Sequence, residues 1–208
     1  LGQRVSNPKL YQAALTGWTA DNRYAGAGAL MFDGNEYVSV TDNANLDVAA
    51  PTNFTINAWV NTKQTTKEVI VGKTDYTDNA GYEMNINGNK AVCLVDSATD
   101  VTATSVSDVN DGAWHYVSCV RNTGAHTLTV YVDGVAEAST SDATTASLAN
   151  NDFLTIGAGS NGTASLYTGI IDAVSFYTRA LPTGEIISNY QAGIIEMQTR
   201  TGTDANPD

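Results

Sequence analysis

The stretch DGAWHYVSCVRNTGAHTLTVYVDGV, residues 111–135, contains two runs in which apolar and polar side chains alternate. Asp-Gly pairs stand at both ends, and Asn-Thr-Gly lies between the runs. Alternation with a period of two is the pattern of a half-buried strand, and Gly, Asn and Asp mark turns. The stretch therefore predicts two strands joined by a turn. It also carries His115 and Cys119, which are either reactive groups or parts of a scaffold.

The rest of the chain repeats this pattern. Each further run is short, alternating and bounded by turn residues: ALMFDG (29–34), EYVSV (36–40), FTINAWV (54–60), EVIVGK (68–73), YEMNI (82–86), KAVCLVD (90–96), FLTIG (153–157) and GIIDAVSFY (169–177). The spacing predicts an all-β sandwich or jelly roll of about a dozen strands.

One segment departs from the strand pattern. LPTGEIISNYQAG (181–193) has apolar residues at helical spacing, with Thr183 as an N-cap and Gly193 as a stop, and predicts one short helix packed at the edge of the sandwich. Residues 199–208 are polar and are interpreted as a C-terminal tail or linker. We expect residues 1–198 to form a single domain.

Composition excludes several classes of protein. The 208 residues include 10 Lys and Arg against 22 Asp and Glu, for a net charge of -12. Such a chain lacks the clustered cations that bind nucleic acid. No run approaches the roughly 20 apolar residues of a membrane span, and no signal peptide is visible. The chain begins at Leu1, so we expect a mature product or an excerpt of a longer protein.

Six stretches together resemble the laminin G-like, or concanavalin A-like, jelly roll that pentraxins share. They are GAGALMFDGNEYVSV, FTINAWV, DGAWHYVSCVRN, LTVYVDGV, LTIGAG and YTGIIDAVSFYTRALPTGEI, in order from about Ala25 to Tyr190. The resemblance implies two antiparallel sheets, one of them concave. It also implies a secreted or cell-surface module of carbohydrate-binding, adhesive or enzyme-appended type.

The two cysteines are interpreted as structural. A nucleophilic Cys119 would need a base, for which His126 is a poor candidate by sequence, and two cysteines are too few for a structural zinc site. Cys93 and Cys119 both lie inside predicted strands that the family places close together, which implies a disulfide and an oxidising compartment. Two buried free thiols are the alternative. By the same resemblance His115 packs or caps at the start of a central strand.

No catalytic motif is present. Related glucanases carry a Glu-X-Asp-X-X-Glu run on one strand, so that two acids share a face. Here the six glutamates are scattered, and neither Gly-X-Ser-X-Gly nor His-Glu-X-X-His occurs. We therefore expect a protein that is not an enzyme.

Two places are candidate sites. The loop KTDYTDNAGYE (73–83) offers polar groups for sugar hydroxyls and aromatic rings for stacking, unless it is an ordinary polar hairpin. Trp59, on the Thr55/Asn57 face of its strand, is either a further stacking platform or a packed residue. The candidate ligand-binding residues are Asp75, Tyr76, Asp78, Asn79, Tyr82 and Trp59.

The second candidate is Asp172, a carboxylate within an apolar strand. An ionised group there is costly unless it is paired or binds a cation. In similar jelly rolls an acid at this point helps to hold a structural Ca²⁺ with carbonyls from the Phe-Asp-Gly region, here residues 32–34. The alternative is a carboxylate that accepts turn amides or pairs with Arg179.

Two functions follow from these patterns. The first is a non-catalytic extracellular module that binds a glycan, a polysaccharide or another cell-surface protein. The second is a structural subunit or surface decoration of an extracellular filament, pilus-like or coat assembly, with self-association.

Overall fold

Two seven-stranded antiparallel sheets form the structure, a computed structural model that describes residues 9–11, 18–19, 28–74 and 76–201. Its strands are β1 Lys9–Tyr11, β2 Trp18–Thr19, β3 Ala29–Asp33, β4 Tyr37–Val40, β5 Phe54–Asn61, β6 Glu68–Lys73, β7 Gly81–Asn87, β8 Lys90–Asp96, β9 Val101–Asp108, β10 His115–Asn122, β11 Thr127–Val132, β12 Val135–Ser141, β13 Leu154–Ile156 and β14 Thr168–Tyr177. A 3₁₀ turn lies at Ser160–Gly162, and one helix, α1, spans Thr183–Thr201.

The chain crosses repeatedly between the two sheets. Sheet I has the order β1-β4-β13-β6-β7-β8-β9, and sheet II has the order β12-β11-β10-β5-β14-β3-β2. The predicted jelly-roll sandwich is confirmed. The opening stretch forms β10 and β11, which pair antiparallel in sheet II, with Cys119 opposite Val130.

The main core lies between the sheets and follows the alternation of the strands. Tyr82 and Met84 of sheet I face Ile56 and Ala58 of sheet II, and all four are essentially inaccessible to solvent. Because successive side chains of a strand point to opposite faces, the residues between these positions face outward. Glu83 and Asn85 therefore lie on the outer face of sheet I, and Trp59 lies on the outer face of sheet II.

The disulfide between Cys93 and Cys119 is present and crosses this core. Cys93 is in β8 of sheet I and Cys119 is in β10 of sheet II, with their Cα atoms 5.5 Å apart. Both residues are buried within the apolar cluster between the sheets. The bond therefore joins the two layers of the sandwich, and the alternative of two free thiols is excluded.

The helix differs from its prediction at both ends. It begins at Thr183, but Thr183 is not the N-cap, because Pro182 O accepts the first helical hydrogen bond, from Ile186 N at 3.2 Å. The helix continues through Gly193 to Thr201. Gly193 does not end the helix. It lies where the helix packs closely against the indole ring of Trp59. Residues 199–201 belong to the helix rather than to a polar tail, and residues 202–208 lie outside the described part of the chain.

The helix covers a second apolar cluster on the outer face of sheet II. Trp59, Tyr116, Val120 and Tyr131 from the sheet pack with Leu181 and Ile186 from the segment around the start of the helix. This cluster explains why a sheet face that would otherwise be exposed carries large aromatic residues. No helix in the described part of the chain is long and apolar enough to cross a membrane.

Candidate functional site

The loop between β6 and β7, residues 74–80, carries three of the predicted ligand-binding residues. Tyr76, Asp78 and Asn79 are all exposed on it. Asp78 Oδ1 accepts a hydrogen bond from Ala80 N at 3.1 Å, which closes a turn at the end of the loop. The fourth predicted residue, Asp75, lies outside the described residues.

Tyr76 joins this loop to the outer face of sheet I. Its hydroxyl donates a hydrogen bond to Glu83 Oε2 and accepts one from Lys67 Nζ at 3.1 Å. The Lys67 ammonium also lies 4.7 Å from the centre of the Tyr76 ring, a cation–π contact. The side chain is 38% exposed, so it remains accessible while one end is held.

Glu83 is the buried centre of this network. Its Oε1 accepts a hydrogen bond from Asn85 Nδ2 at 2.6 Å and lies 2.9 Å from Lys67 Nζ. Desolvation raises the pKa of Glu83, against the lowering effects of the Lys67 charge and of the hydrogen bonds from Lys67 and Asn85. Both oxygens of this carboxyl group are therefore engaged within the protein, and Glu83 serves to hold Tyr76 and Lys67 in place.

Two further polar groups are buried beside this network. Asn85 Oδ1 is buried and has no hydrogen-bond partner among the described residues. Asp96 of β8 accepts a hydrogen bond from the Thr74 hydroxyl at the start of the loop. Desolvation raises the pKa of Asp96, and the nearby charges of Asp100 and Asp78 add to that effect. The exposed loop therefore combines polar groups that can bind hydroxyls with one accessible aromatic ring, and buried polar and acidic groups of sheet I lie beneath it.

The predictions that Tyr82 and Trp59 stack on a ligand are wrong, because both side chains are buried. Tyr82 is 0% exposed, points into the main core, and donates its hydroxyl to Leu46 O at 2.8 Å. Trp59 is 1% exposed and lies on the other sheet, with its ring 5.2 Å from that of Tyr116 and 5.6 Å from that of Tyr190. Neither ring can stack on a ligand. The alternative of a packed Trp59 is the correct one.

Asp172 lies in β14 opposite Trp59, and its Oδ1 accepts a hydrogen bond from Ala173 N at 2.7 Å. The register pairs Phe32 and Asp33 with Gly169 and Thr168, three to four residues along the strand from Asp172. Arg179 instead forms a two-pronged pair with Glu185, with distances of 2.9 and 2.5 Å. No cluster of three or more His, Cys, Asp or Glu side chains suited to a metal occurs in the described residues. Calcium at Asp172 stays a prediction.

His115 has a structural contact at each ring nitrogen. Its Nδ1 lies 2.9 Å from Asp133 Oδ2, and its Nε2 lies 3.2 Å from Asp111 Oδ1. The hydrogen bond to Asp133 is the main cause of the raised pKa of His115. The histidine thus holds the start of β10 to the β11–β12 turn. This agrees with a capping role and involves no nucleophile, since Cys119 is in the disulfide.

Sequence reasoning missed Lys67, Glu83 and Asn85. The signal was present in YEMNI, where Glu83 and Asn85 alternate with the apolar residues of a strand. In a half-buried strand such positions are expected to face water. Here residues 67 and 76 cover them, and Glu83 is only 1% exposed.

Similarity to solved structures agrees with the fold. The binding domain of Paraclostridial Mosquitocidal Protein 1 is 15% identical, with a TM-score of 0.69 over 88% of this chain and 47% of that one. The binding domain of botulinum neurotoxin serotype G is 15% identical, with a TM-score of 0.66 over 99% of this chain and 48% of that one. A structure of botulinum neurotoxin type C is 13% identical, with a TM-score of 0.60 over 76% of this chain and 40% of that one.

The chain spans less than half the length of these toxin chains. At such identities the likeness shows the fold alone. A search of curated protein sequences gives no match. The sequence model of one family, described as the concanavalin A-like lectin/glucanases superfamily, matches residues 32–187, which include β4 to β14 and the loop with Tyr76. The chain therefore belongs to the concanavalin A-like lectin/glucanases superfamily.

Proposed function

We propose that this protein is a non-catalytic extracellular module that binds neutral glycans through the loop 74–80. One observation carries the proposal: the exposed ring of Tyr76 lies on the same loop as Asp78 and Asn79, in a lectin-type sandwich. An aromatic face covers the apolar face of a sugar ring, while carboxylate and amide groups take its hydroxyls.

The charge around the loop favours neutral over acidic sugars. The charges of Asp100 and Asp78 both contribute to the raised pKa of Asp96, and Lys67 is already paired with Glu83. A ligand that carries a carboxylate or sulfate would meet like charge at close range, which disfavours binding. A neutral hydroxyl-rich ligand meets no such repulsion.

Three observations support the assignment as a non-catalytic extracellular module that binds glycans. Cell entry of botulinum neurotoxin type C, a protein with this fold, is described as dependent on interaction with two ganglioside molecules. Gangliosides carry acidic sugars, so this finding supports glycan binding in general, and the preference for neutral glycans rests on the charge around the loop alone. The inter-sheet disulfide suits an oxidising, extracellular setting. A non-catalytic role agrees with the absence of paired acids at glucanase spacing in the sequence.

A glycan array with neutral and acidic oligosaccharides, with and without Ca²⁺, tests the proposal. We expect binding to neutral glycans. Tyr76→Ala should weaken that binding by about fivefold, because an aromatic contact contributes on the order of 1 kcal/mol. Phe153→Ala is the matched control, since Phe153 is 41% exposed and Tyr76 is 38% exposed.

The proposal predicts unchanged affinity for Phe153→Ala and no release of reducing ends from a bound polysaccharide. Binding to acidic glycans alone, binding to no glycan, or an unchanged affinity in Tyr76→Ala would each overturn it. Circular dichroism of each variant confirms that the sheets are retained.

A further inference from the structure

A buried ammonium group lies at the end of β6. Lys73 is 0% exposed, and its Nζ is surrounded by four oxygen atoms. It donates to the backbone oxygen and to Oδ1 of Asn150, each at 2.8 Å. Its ion-pair partners are Asp42 Oδ1 at 3.0 Å and Asp47 Oδ1 at 2.9 Å. An ammonium ion without water is costly to bury, and these four oxygens replace its hydration shell.

The oxygen set is of the kind that binds a hard cation. Two carboxylates, one amide oxygen and one backbone carbonyl are typical Ca²⁺ ligands, and Ca²⁺ accepts such mixtures in irregular geometry. An ammonium has three protons to share among the four oxygens. The side chains of Asp42 and Asp47 are 32% and 25% exposed, although the Oδ1 atoms that contact the ammonium are buried.

The same cage holds the base of the candidate ligand loop. Asn150 Nδ2 donates to Lys73 O at 3.1 Å and to Ala80 O at 2.7 Å. Lys73 immediately precedes the loop, and Ala80 is its last residue. One amide group therefore bridges the two stems of loop 74–80, and the orientation of that amide is set by the ammonium on its oxygen.

We propose that the Lys73 ammonium is the resident cation of an oxygen cage formed by Asp42, Asp47 and Asn150, where a divalent cation binds once the lysine side chain is removed. The cage acts as a positioning device for loop 74–80. The positioning role rests on the proposed glycan function, whereas the binding of a cation in the cage does not.

Lys73→Ala, studied with Ca²⁺ as the only added ligand, tests the cage. The variant leaves two carboxylates facing each other without a cation, so its melting temperature in metal-free buffer should fall well below that of the wild type. Added Ca²⁺ should raise it progressively, since a ligand bound only by the folded state stabilises by mass action. The wild type supplies the baseline, and any response of its own is subtracted.

Two controls make the result specific. Lys90→Ala removes an exposed lysine paired with Asp108 at 2.6 Å and should gain no response to Ca²⁺ beyond that of the wild type. Lys73→Ala combined with Asp42→Asn and Asp47→Asn should lose the Ca²⁺ response, because the cage then carries no negative charge. If Lys73→Ala gains no more from Ca²⁺ than the wild type, or folds neither with nor without it, the cage proposal is wrong.

Measurements of glycan affinity distinguish the cation cage from its positioning role. If the cage positions the loop, Lys73→Ala should bind glycan weakly without Ca²⁺ and recover with it, at a temperature where both forms are folded. A Ca²⁺ response in melting with unchanged glycan affinity would retain the cage and overturn the positioning role. An absence of glycan binding by the wild type would overturn the proposed function, and the melting experiment would still decide the cage.

Discussion

Gly193 of the helix lies directly against the indole ring of Trp59. A Cβ atom on Gly193 would fall 2.6 Å from both Cζ2 and Nε1 of that ring. Trp59 is fully buried and packed between Tyr116 and Tyr190, so its ring has no room to move. The helix and sheet II therefore approach as closely as they do because residue 193 has no side chain.

Gly193→Ala should lower the stability of the protein. Alanine gains about 1 kcal/mol of helix propensity over glycine, but overpacking against a rigid ring costs about 1–3 kcal/mol. Gly184→Ala in the same helix is the matched control, because a Cβ atom on Gly184 would have no neighbouring atom within 4 Å. Thermal melting should show a decrease for residue 193 and no decrease for residue 184. Equal effects at both positions would contradict close packing at Trp59.

The buried pair of Arg121 and Asp142 should be far more important than the exposed pair of Arg179 and Glu185. Arg121 Nε lies 2.6 Å from Asp142 Oδ2, and both side chains are 0% exposed. Arg121→Met would leave a buried carboxylate without its partner, which costs about 3–5 kcal/mol. Arg179→Met, in a pair that is roughly half exposed, should cost far less, because solvent screens the interaction of an exposed pair. Urea unfolding of both variants measures the difference, and similar losses would refute the distinction.

Glu68 should make the protein less stable as the pH rises. Desolvation raises the pKa of Glu68 to about 7 from an ordinary value of 4.5. The hydrogen bonds agree with a protonated group: the Thr62 hydroxyl lies 2.7 Å from Thr168 O and 3.2 Å from Glu68 Oε2. If that hydroxyl donates its single proton to the carbonyl, it can accept one from Glu68.

Since the folded pKa lies above the unfolded value, stability is greatest below the unfolded pKa. It falls between that value and the folded pKa of about 7, and no further loss from this group follows above it. Glu68→Gln keeps an acceptor for Thr168 N and a donor for Thr62. Its free energy of unfolding should match that of the wild type at about pH 4 and exceed it at about pH 8. A difference that does not change with pH would show that Glu68 is charged in the folded state.

The disulfide between Cys93 and Cys119 should contribute strongly to the stability of the protein against denaturant. Closing a loop of about 25 residues restricts the unfolded chain and contributes about 3 kcal/mol. The double variant Cys93→Ala/Cys119→Ala should therefore unfold at a clearly lower urea concentration. Thiol labelling of the denatured, unreduced wild type should find no free thiol, and the detection of two would contradict the bond.

Calcium at Asp172 is tested by chelation. If Asp172 helps to bind Ca²⁺, a chelator should lower the melting temperature of the wild type, and Asp172→Asn should abolish that response. If the melting temperature of the calcium-loaded wild type is unchanged by a chelator, Asp172 holds no metal and serves as the acceptor for the Ala173 amide, which it already contacts at 2.7 Å.

The sequence by itself determined the strands of the sandwich interior. EVIVGK and KAVCLVD coincide with β6 and β8 residue for residue, because a period of two with bounding turn residues is a local property of the chain. β9 and β12 were missed. They form the facing edges of the two sheets, where Val106 and Val135 are 72% and 62% exposed, so little apolar alternation is needed there.

Only the tertiary structure decided which face of each strand is covered, and by what. Alternation shows that Tyr82 and Glu83 lie on opposite faces of β7, but it does not show that both side chains are buried. The core covers Tyr82, and Lys67 and Tyr76 contact Glu83 on the outer face. Likewise Gly193 has the local signature of a helix stop, yet its contact with Trp59 across more than a hundred residues makes it a packing site. The burial of the Lys73 ammonium is explained only by Asp42 and Asp47 of the β4–β5 loop and Asn150 of the β12–β13 loop, which the fold brings together. Burial depends on contacts between distant segments, and a local pattern contains no information about them.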